Sequence, residues 1–244
     1  MKRIAQITDL HIDDFLAREF QIDARKNIES ALSLAQCRGI SEVILTGDLG
    51  APESAPWLFE TIKGYGFDFQ VALGNHDNPA DYQKFDFLKT LIKGNGFYFS
   101  KMIDDIDFEC IFLDSSTEEI DEIQFEWLRH QISRSKDLLL VFIHHPILDC
   151  GNTIIDQLYP LKNRDAVRHL LIESQREVFV FCGHCHYRNS DEIRDGNLHQ
   201  FPTPSTFGQI KPYGEKIESD PGYIAYREIW IKDGRIQTEV VEVK

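Results

Sequence analysis

Six of the nine histidines in this chain fall in short polar clusters, and each cluster ends an apolar run. Asp9-Leu10-His11 follows Ile4–Thr8, Gly47-Asp48 follows Glu42–Thr46, and Gly74-Asn75-His76-Asp77 follows Phe69–Leu73. His144-His145-Pro146 follows Leu138–Ile143, and Gly183-His184-Cys185-His186 follows Val178–Cys182. Carboxylate and amide oxygens mixed with imidazole nitrogens suit divalent Mn, Fe, Zn or Co better than Mg or Ca, which favour all-oxygen shells. Seven such donors exceed the needs of one tetrahedral ion, so two ions sharing a carboxylate is the economical arrangement. Two ions about 3.5–4 Å apart are suited to phosphoester hydrolysis, because both contact the phosphoryl oxygens. Taken alone, an aspartate after a strand more often caps a turn or helix; five clusters in order outweigh that reading. Asp77 is expected to be structural, and His130, His169 and His199 are expected to be bystanders in ordinary helix or strand contexts.

The elements that must position these residues follow from periodicity. Apolar residues at helical spacing predict helices over 23–37, 54–63, 80–93, 121–133 and 164–173, with Gly39 as a stop after the first. Three consecutive strand-helix units at the start predict a mainly parallel sheet with polar residues along one edge. Phe97–Lys101 and Phe108–Asp114 predict a hairpin across 103–107, and 147–162 reads as irregular. Asp195-Gly196 and Asp233-Gly234 mark two further hairpins near the C-terminus. Between them, the long loop through Thr203-Pro204-Ser205-Thr206-Phe207 is of a length that is more often functional than accidental. Phe207 and Tyr213 are expected chiefly to fill that loop's own core.

At 244 residues with no linker or low-complexity stretch, one α/β domain over 1–244 is expected. A net charge of -14 argues against nucleic acid and anionic membrane surfaces as partners. It leaves room for a small phosphate ester, since bound cations reverse the local potential. No apolar run approaches the roughly 20 residues of a membrane span. Five cysteines and no signal sequence predict free thiols in the cytoplasm. Cys182-Gly183-His184-Cys185 has the spacing of a redox or zinc motif, but no second pair accompanies it. Both of its cysteines are therefore expected to be free.

Together, Asp9-x-His11, Gly47-Asp48, Gly74-Asn75-His76-Asp77, His144-x-Pro146 and Gly183-His184-x-His186 resemble, in order, the five blocks of the calcineurin-like metallophosphoesterase superfamily. The doubled histidine, the Phe181-Cys182-Gly183-His184 context and Thr203-Pro204-Ser205-Thr206 with Gln209-x-Lys211-Pro212 look most like the bacterial class III cyclic-nucleotide phosphodiesterases. The resemblance implies a four-layer αββα sandwich with a dinuclear site at the carboxyl ends of the strands. It implies two divalent ions (Mn, Fe or Zn), with Asp9, His11 and His186 on one, Asn75, His144 and His184 on the other, and Asp48 bridging. His76 would be the acid that protonates the leaving oxygen after in-line attack by a hydroxide shared by the ions. Asn75, His76, His145, Thr203 and Ser205 would meet the substrate, a cyclic nucleotide giving the 5′-nucleotide. Glycerophosphodiesters and nucleoside-diphosphate adducts are the rival substrates, and a non-catalytic metal-binding scaffold is the rival class. Relatives associate through loops or C-terminal additions, so a homodimer stays open.

Overall fold

Two sheets, described by a computed structural model, carry the site. The structure describes residues 1–93, 96–102, 109–135, 138–189, 191–212 and 217–244, so the 103–107 turn and Tyr213 lie outside the described residues. The first sheet contains β1 (Lys2–Ile7), β2 (Glu42–Thr46) and β3 (Asp68–Ala72). The second contains β4 (Phe99–Met102), β5 (Glu109–Phe112), β6 (Leu138–Phe142), β7 (Glu177–Cys182), β8 (Ile193–Asp195) and β9 (Leu198–Pro202). The closing hairpin, β10 (Ile224–Lys232) and β11 (Arg235–Val243), returns to the first sheet. The strand orders are β11-β10-β1-β2-β3 and β8-β9-β7-β6-β5-β4. Neighbours are parallel from β1 to β3 and from β9 through β7 and β6 to β5. Antiparallel strands occupy both edges of the second sheet and one side of the first.

Side-chain alternation sets the layers. In the second sheet Cys110, Phe112, Leu140, Phe142 and Phe181 join the core shared with the first sheet, while Ile111, Leu139, Val141, Val178 and Val180 belong to a separate core. Period 2 places those two sets on opposite faces. The inner set includes a ladder of phenylalanines, Phe99, Phe112, Phe142, Phe181 and Phe201, stacked at 4.5 to 5.3 Å between ring centroids across five strands. The outer set packs on α5 (Glu122–Arg134) and α7 (Arg164–Glu173) through Leu128, Ile132, Val167 and Leu171. Across the molecule, α2 (Ala24–Cys37) and α3 (Ala55–Gly64) join the first core through Ile28, Leu32, Leu58 and Ile62. The layers are therefore α, β, β, α.

The structure corrects the predicted secondary structure in two places. Residues 80–93 form a 3-10 turn at Pro79–Tyr82, the single-turn α4 (Asp86–Lys89) and a short strand at Ile92–Lys93, not one helix. Phe59, Phe85 and Phe87 pack together there at 4.9 to 6.0 Å, so aromatic contacts override the helical spacing. The stretch 147–162 contains α6 (Thr153–Leu158), with Ile154 and Ile155 buried. One short helix, α1 (Phe15–Phe20), follows the first polar cluster. Among the described residues no helix is long and apolar enough to cross a membrane.

Candidate metal centre

All five clusters meet at one end of the two sheets. Asp9 and His11 leave β1, Asp48 leaves β2, Asn75 and His76 leave β3, His144 leaves β6, and His184 and His186 leave β7. Asp9, His11, Asp48 and His186 each turn one ligand atom into a buried group no more than 4.8 Å across. His11 Nε2 lies 3.3 Å from His186 Nε2, and His144 Nε2 lies 3.2 Å from His184 Nδ1. Asp48 Oδ2 stands between these pairs, 3.6 Å from His11 Nε2 and 3.4 Å from His144 Nε2. Asp9 Oδ1 is 3.2 Å from His186 Nε2, and Asn75 Oδ1 is 3.1 Å from His144 Nε2.

The far side of each ring fixes which nitrogen faces inward. His144 Nδ1 donates to the Thr46 carbonyl, His184 Nε2 to the Tyr159 carbonyl and His186 Nδ1 to the Gly208 carbonyl, each at 2.8 Å. His11 Nδ1 donates to Asp14 Oδ2 at 2.8 Å. Carbonyls and carboxylates only accept, so each neutral ring presents its remaining nitrogen as a lone pair toward the centre. Outer partners of this kind orient and strengthen metal-binding imidazoles.

Buried lone pairs and carboxylates facing each other at these distances need positive charge between them. Burial opposes charge on Asp48, yet His144, His11 and His76 outweigh it and hold Asp48 well below the usual carboxylate range. Burial likewise opposes protonation of His144, but Asp48 and Asp9 push it up to about 9. His184, buried and beside His144, is pulled down to about 4. Protons supply this positive charge only in part, and the donor set fits divalent cations.

The loops reach this geometry through strained backbone. Asp9, His11, Asp48, His184 and His186 all have φ between 41° and 68°, the left-handed region that costs non-glycine residues about 1–3 kcal/mol each. Hydrogen bonds hold them there: Asp9 N donates to Gly47 O, His11 N to Asp48 O, and His184 N to both Asp9 carboxylate oxygens. Gly183 permits the last contact, because a Cβ there would overlap Thr8 Oγ1. Beneath the site Gln6 bridges the sheets, donating to Thr46 Oγ1 and the Cys182 carbonyl and accepting from Thr203 Oγ1.

Asp77 makes no hydrogen bond to the His76 ring among the described residues. Its carboxylate accepts from Asp48 N, Leu49 N, Gly74 N and Tyr82 Oη at 2.8 to 3.0 Å, clipping the loop after β2 to the loop after β3. Burial and Asp48 push its pKa up to about 7, against the pull of those donors. Asp77→Ala leaves three backbone donors without their acceptor, at about 1–3 kcal/mol apiece. The expected result is a clear drop in melting temperature and a metal affinity lowered about 10–100-fold, the usual loss for an outer partner. Metal titration and thermal unfolding check this, and wild-type values in both would refute the clip.

The structure places three of the expected substrate contacts behind the wall of the cleft, and it corrects one cysteine expectation. His145 lies behind His184, its ring centroid 4.1 Å away, fully buried with Nδ1 on Ser115 Oγ, and it does not line the cleft. Thr203 and Ser205 are also buried behind the wall. Thr203 belongs to the Gln6 bridge, and Ser205 Oγ donates to the Asp9 carbonyl, so both brace the candidate ligands from behind. Cys185 is not free: it forms a disulfide with Cys150, which ties the spacer between His184 and His186 to the segment before α6. Cys37, Cys110 and Cys182 are free. Sequence reasoning missed Asp14, Tyr159 and Gly208 as partners of the ligands; only Asp14, three residues after His11, offered a local signal.

In contrast, His76 stands at the mouth of the cleft, and among the described residues its ring nitrogens bond to no protein group. Its backbone N–H donates to Asp48 Oδ1 at 2.9 Å, which fixes the residue beside the centre. Loss of water on its inner side, with His11 and His144 nearby, holds its pKa below the usual value against the pull of Asp48.

The family model for calcineurin-like phosphoesterases matches residues 2–188. A protein of Fibrobacter succinogenes named "Probable cyclic nucleotide phosphodiesterase" is 31% identical, over 86% of this chain and 82% of its own. A protein of Enterobacter lignolyticus named a glycerophosphodiester phosphodiesterase is 25% identical, over 83% and 79%. The crystal structure of a dimetal phosphatase from Danio rerio superposes with a TM-score of 0.72 over 99% of this chain and 98% of that one, at 12% identity, which speaks to fold alone. Strand-end donors, layered sheets and sequence similarity agree, and the chain belongs to the calcineurin-like phosphoesterase family, as a metal-dependent phosphoesterase.

Proposed function

We propose that this phosphoesterase hydrolyses small phosphodiesters, with 3′,5′-cyclic nucleotides as its principal substrates and 5′-nucleotides as products. The observation that carries the diesterase reading is the pair of facing donor sets around Asp48 with a free imidazole, His76, at the cleft mouth. In this proposal Asp9, His11 and His186 would hold one divalent ion and Asn75, His144 and His184 the other, with Asp48 available to either. When bound, such ions lower the pKa of a water and neutralise charge on the phosphoryl oxygens. Asn75 and His76 orient the phosphate at the mouth, and His76 gives a proton to the departing oxygen. The buried carboxylates are held by backbone donors and pinned imidazoles, so the centre needs little rearrangement during reaction.

The preference for cyclic nucleotides rests on the likeness to the Fibrobacter protein; the name of the Enterobacter protein favours glycerophosphodiesters as the second reading. A non-catalytic scaffold is disfavoured by the presence of every donor position together with His76. The same reading treats residues 1–244 as one domain. The expectation of a cytoplasmic setting draws in part on free thiols, and the Cys150–Cys185 bond removes that part of its support.

Protein reconstituted with Mn, Fe or Zn and assayed on cyclic AMP, glycerophosphoethanolamine and an aryl monoester tests the proposal. Diester turnover should exceed monoester turnover, with cyclic AMP preferred, and chelation should abolish it. A large preference for the monoester would overturn the diesterase reading.

A further inference from the structure

The cleft over the centre, about 290 Å³, has chemically different floor and walls. Its floor is the polar set already described. The walls include Phe15, Leu16 and Phe20 of α1, Ile155 and Tyr159 from the α6 segment, and Ile217. Phe15 is 56% exposed, Phe20 41%, Tyr159 42% and Ile217 46%. Four large apolar side chains left open to water around one cleft form a surface with a purpose, since covering each would stabilise the fold.

No lysine or arginine lines the cleft among the described residues. Among the described lining residues a second phosphate finds no counter-charge. Among the described wall residues the side-chain polar groups are few: the Gln209 amide is committed to the Ser205 and Tyr223 carbonyls, which leaves the hydroxyls of Tyr159 and Ser219. A planar apolar substituent fits these walls.

The wall is fastened to the centre. Asp14 accepts from His11 Nδ1 with one carboxylate oxygen and from Ala17 N with the other, capping α1. Phe15 follows directly, its ring centroid 6.0 Å from that of His76 and inclined at 34°. Because His76 stands where the departing oxygen is protonated, Phe15 lies beside the substituent that carries that oxygen.

We infer that Phe15 is a specificity-determining residue: it stacks on the nucleobase of the diester, inside a collar completed by Phe20, Ile155 and Tyr159. Aromatic faces accept any base, so the collar selects planar groups over polyols without reading base identity. This inference rests on the diesterase reading above, and two measurements separate them.

The first compares kcat/KM for cyclic AMP with that for glycerophosphoethanolamine in wild type, Phe15→Ala and Phe15→Trp. The ratio should fall about 10-fold or more in Phe15→Ala, the order produced by losing one stacking partner, and recover in Phe15→Trp. The second compares binding of 5′-AMP and glycerol 3-phosphate to the metal-loaded proteins by calorimetry, with the same pattern expected. A ratio within about 2-fold of wild type in Phe15→Ala, in turnover or in binding, overturns the role of Phe15. Wild-type protein that binds 5′-AMP selectively through Phe15 yet turns over no diester would keep the collar and overturn the diesterase reading. Phe15 is largely exposed, so unfolding is not expected to obscure either result.

Discussion

Asp48→Ala is expected to lower kcat/KM for every phosphodiester by at least about 10³-fold, since a metal clamp supplies several kcal/mol of transition-state stabilisation and each 1.36 kcal/mol is a decade. The reason is the position of one oxygen. Asp48 Oδ2 lies 3.6 Å from His11 Nε2 and 3.4 Å from His144 Nε2, so its removal takes a donor from both halves of the centre. Its other oxygen accepts the His76 N–H, and the same substitution releases that loop. It also removes the principal charge partner of His144. Elemental analysis should show bound metal falling by half or more, in parallel with activity. Asp48→Asn keeps an acceptor for His76 but loses the anion, so it should recover the fold better than the metal. A variant that retains full metal and activity within about 10-fold would show that the two donor sets do not depend on Asp48.

His76→Ala should behave differently, because its ring is outside the group formed by Asp9, His11, Asp48 and His186. Metal content is expected to stay at the wild-type level. Turnover of a cyclic nucleotide, which expels a poor alkoxide, should fall about 10²–10⁴-fold, the range of general acid catalysis. A bis(p-nitrophenyl) diester expels a phenolate that departs without a proton, and its hydrolysis should fall much less. That contrast distinguishes proton donation from simple phosphate binding, which would weaken both substrates alike. Equal losses on both leaving groups would move His76 from acid to binding residue.

The donors were legible in sequence because each apolar strand ends abruptly in groups that serve no packing purpose. Asp9, Asp48 and His144 could be placed at strand ends from that alone, and the strand ends coincide with those observed to within a residue or two. The runs by themselves predict a mainly parallel sheet; the two-sheet layering is implied by the resemblance to the metallophosphoesterase superfamily. What remained hidden depends on contacts distant in sequence. The Tyr159 carbonyl that orients His184 sits 25 residues before it, and Cys150 lies 35 residues before Cys185, farther than any local motif would suggest. Thr203 and Ser205 read as substrate contacts because the Thr203-Pro204-Ser205-Thr206 segment resembles that of the class III phosphodiesterases. Only the three-dimensional path shows them turned inward, onto Gln6 and the Asp9 backbone. Phe15 was hidden for the opposite reason: an aromatic residue near the N-terminus looks like core until its exposure is known.

The left-handed backbone at Asp9, His11, Asp48, His184 and His186 means that this centre is not portable. A peptide carrying any one cluster would relax out of the conformation that aims its side chain, because the restraining hydrogen bonds come from other clusters. Grafting the five segments onto another α/β frame would transfer the donors without their directions. A host would also need the crossed restraints, Asp9 N on Gly47 O, His11 N on Asp48 O and His184 N on the Asp9 carboxylate, together with the opening at Gly183. The transferable unit is the pair of sheets with their edge loops, and the ligand residues are its last detail.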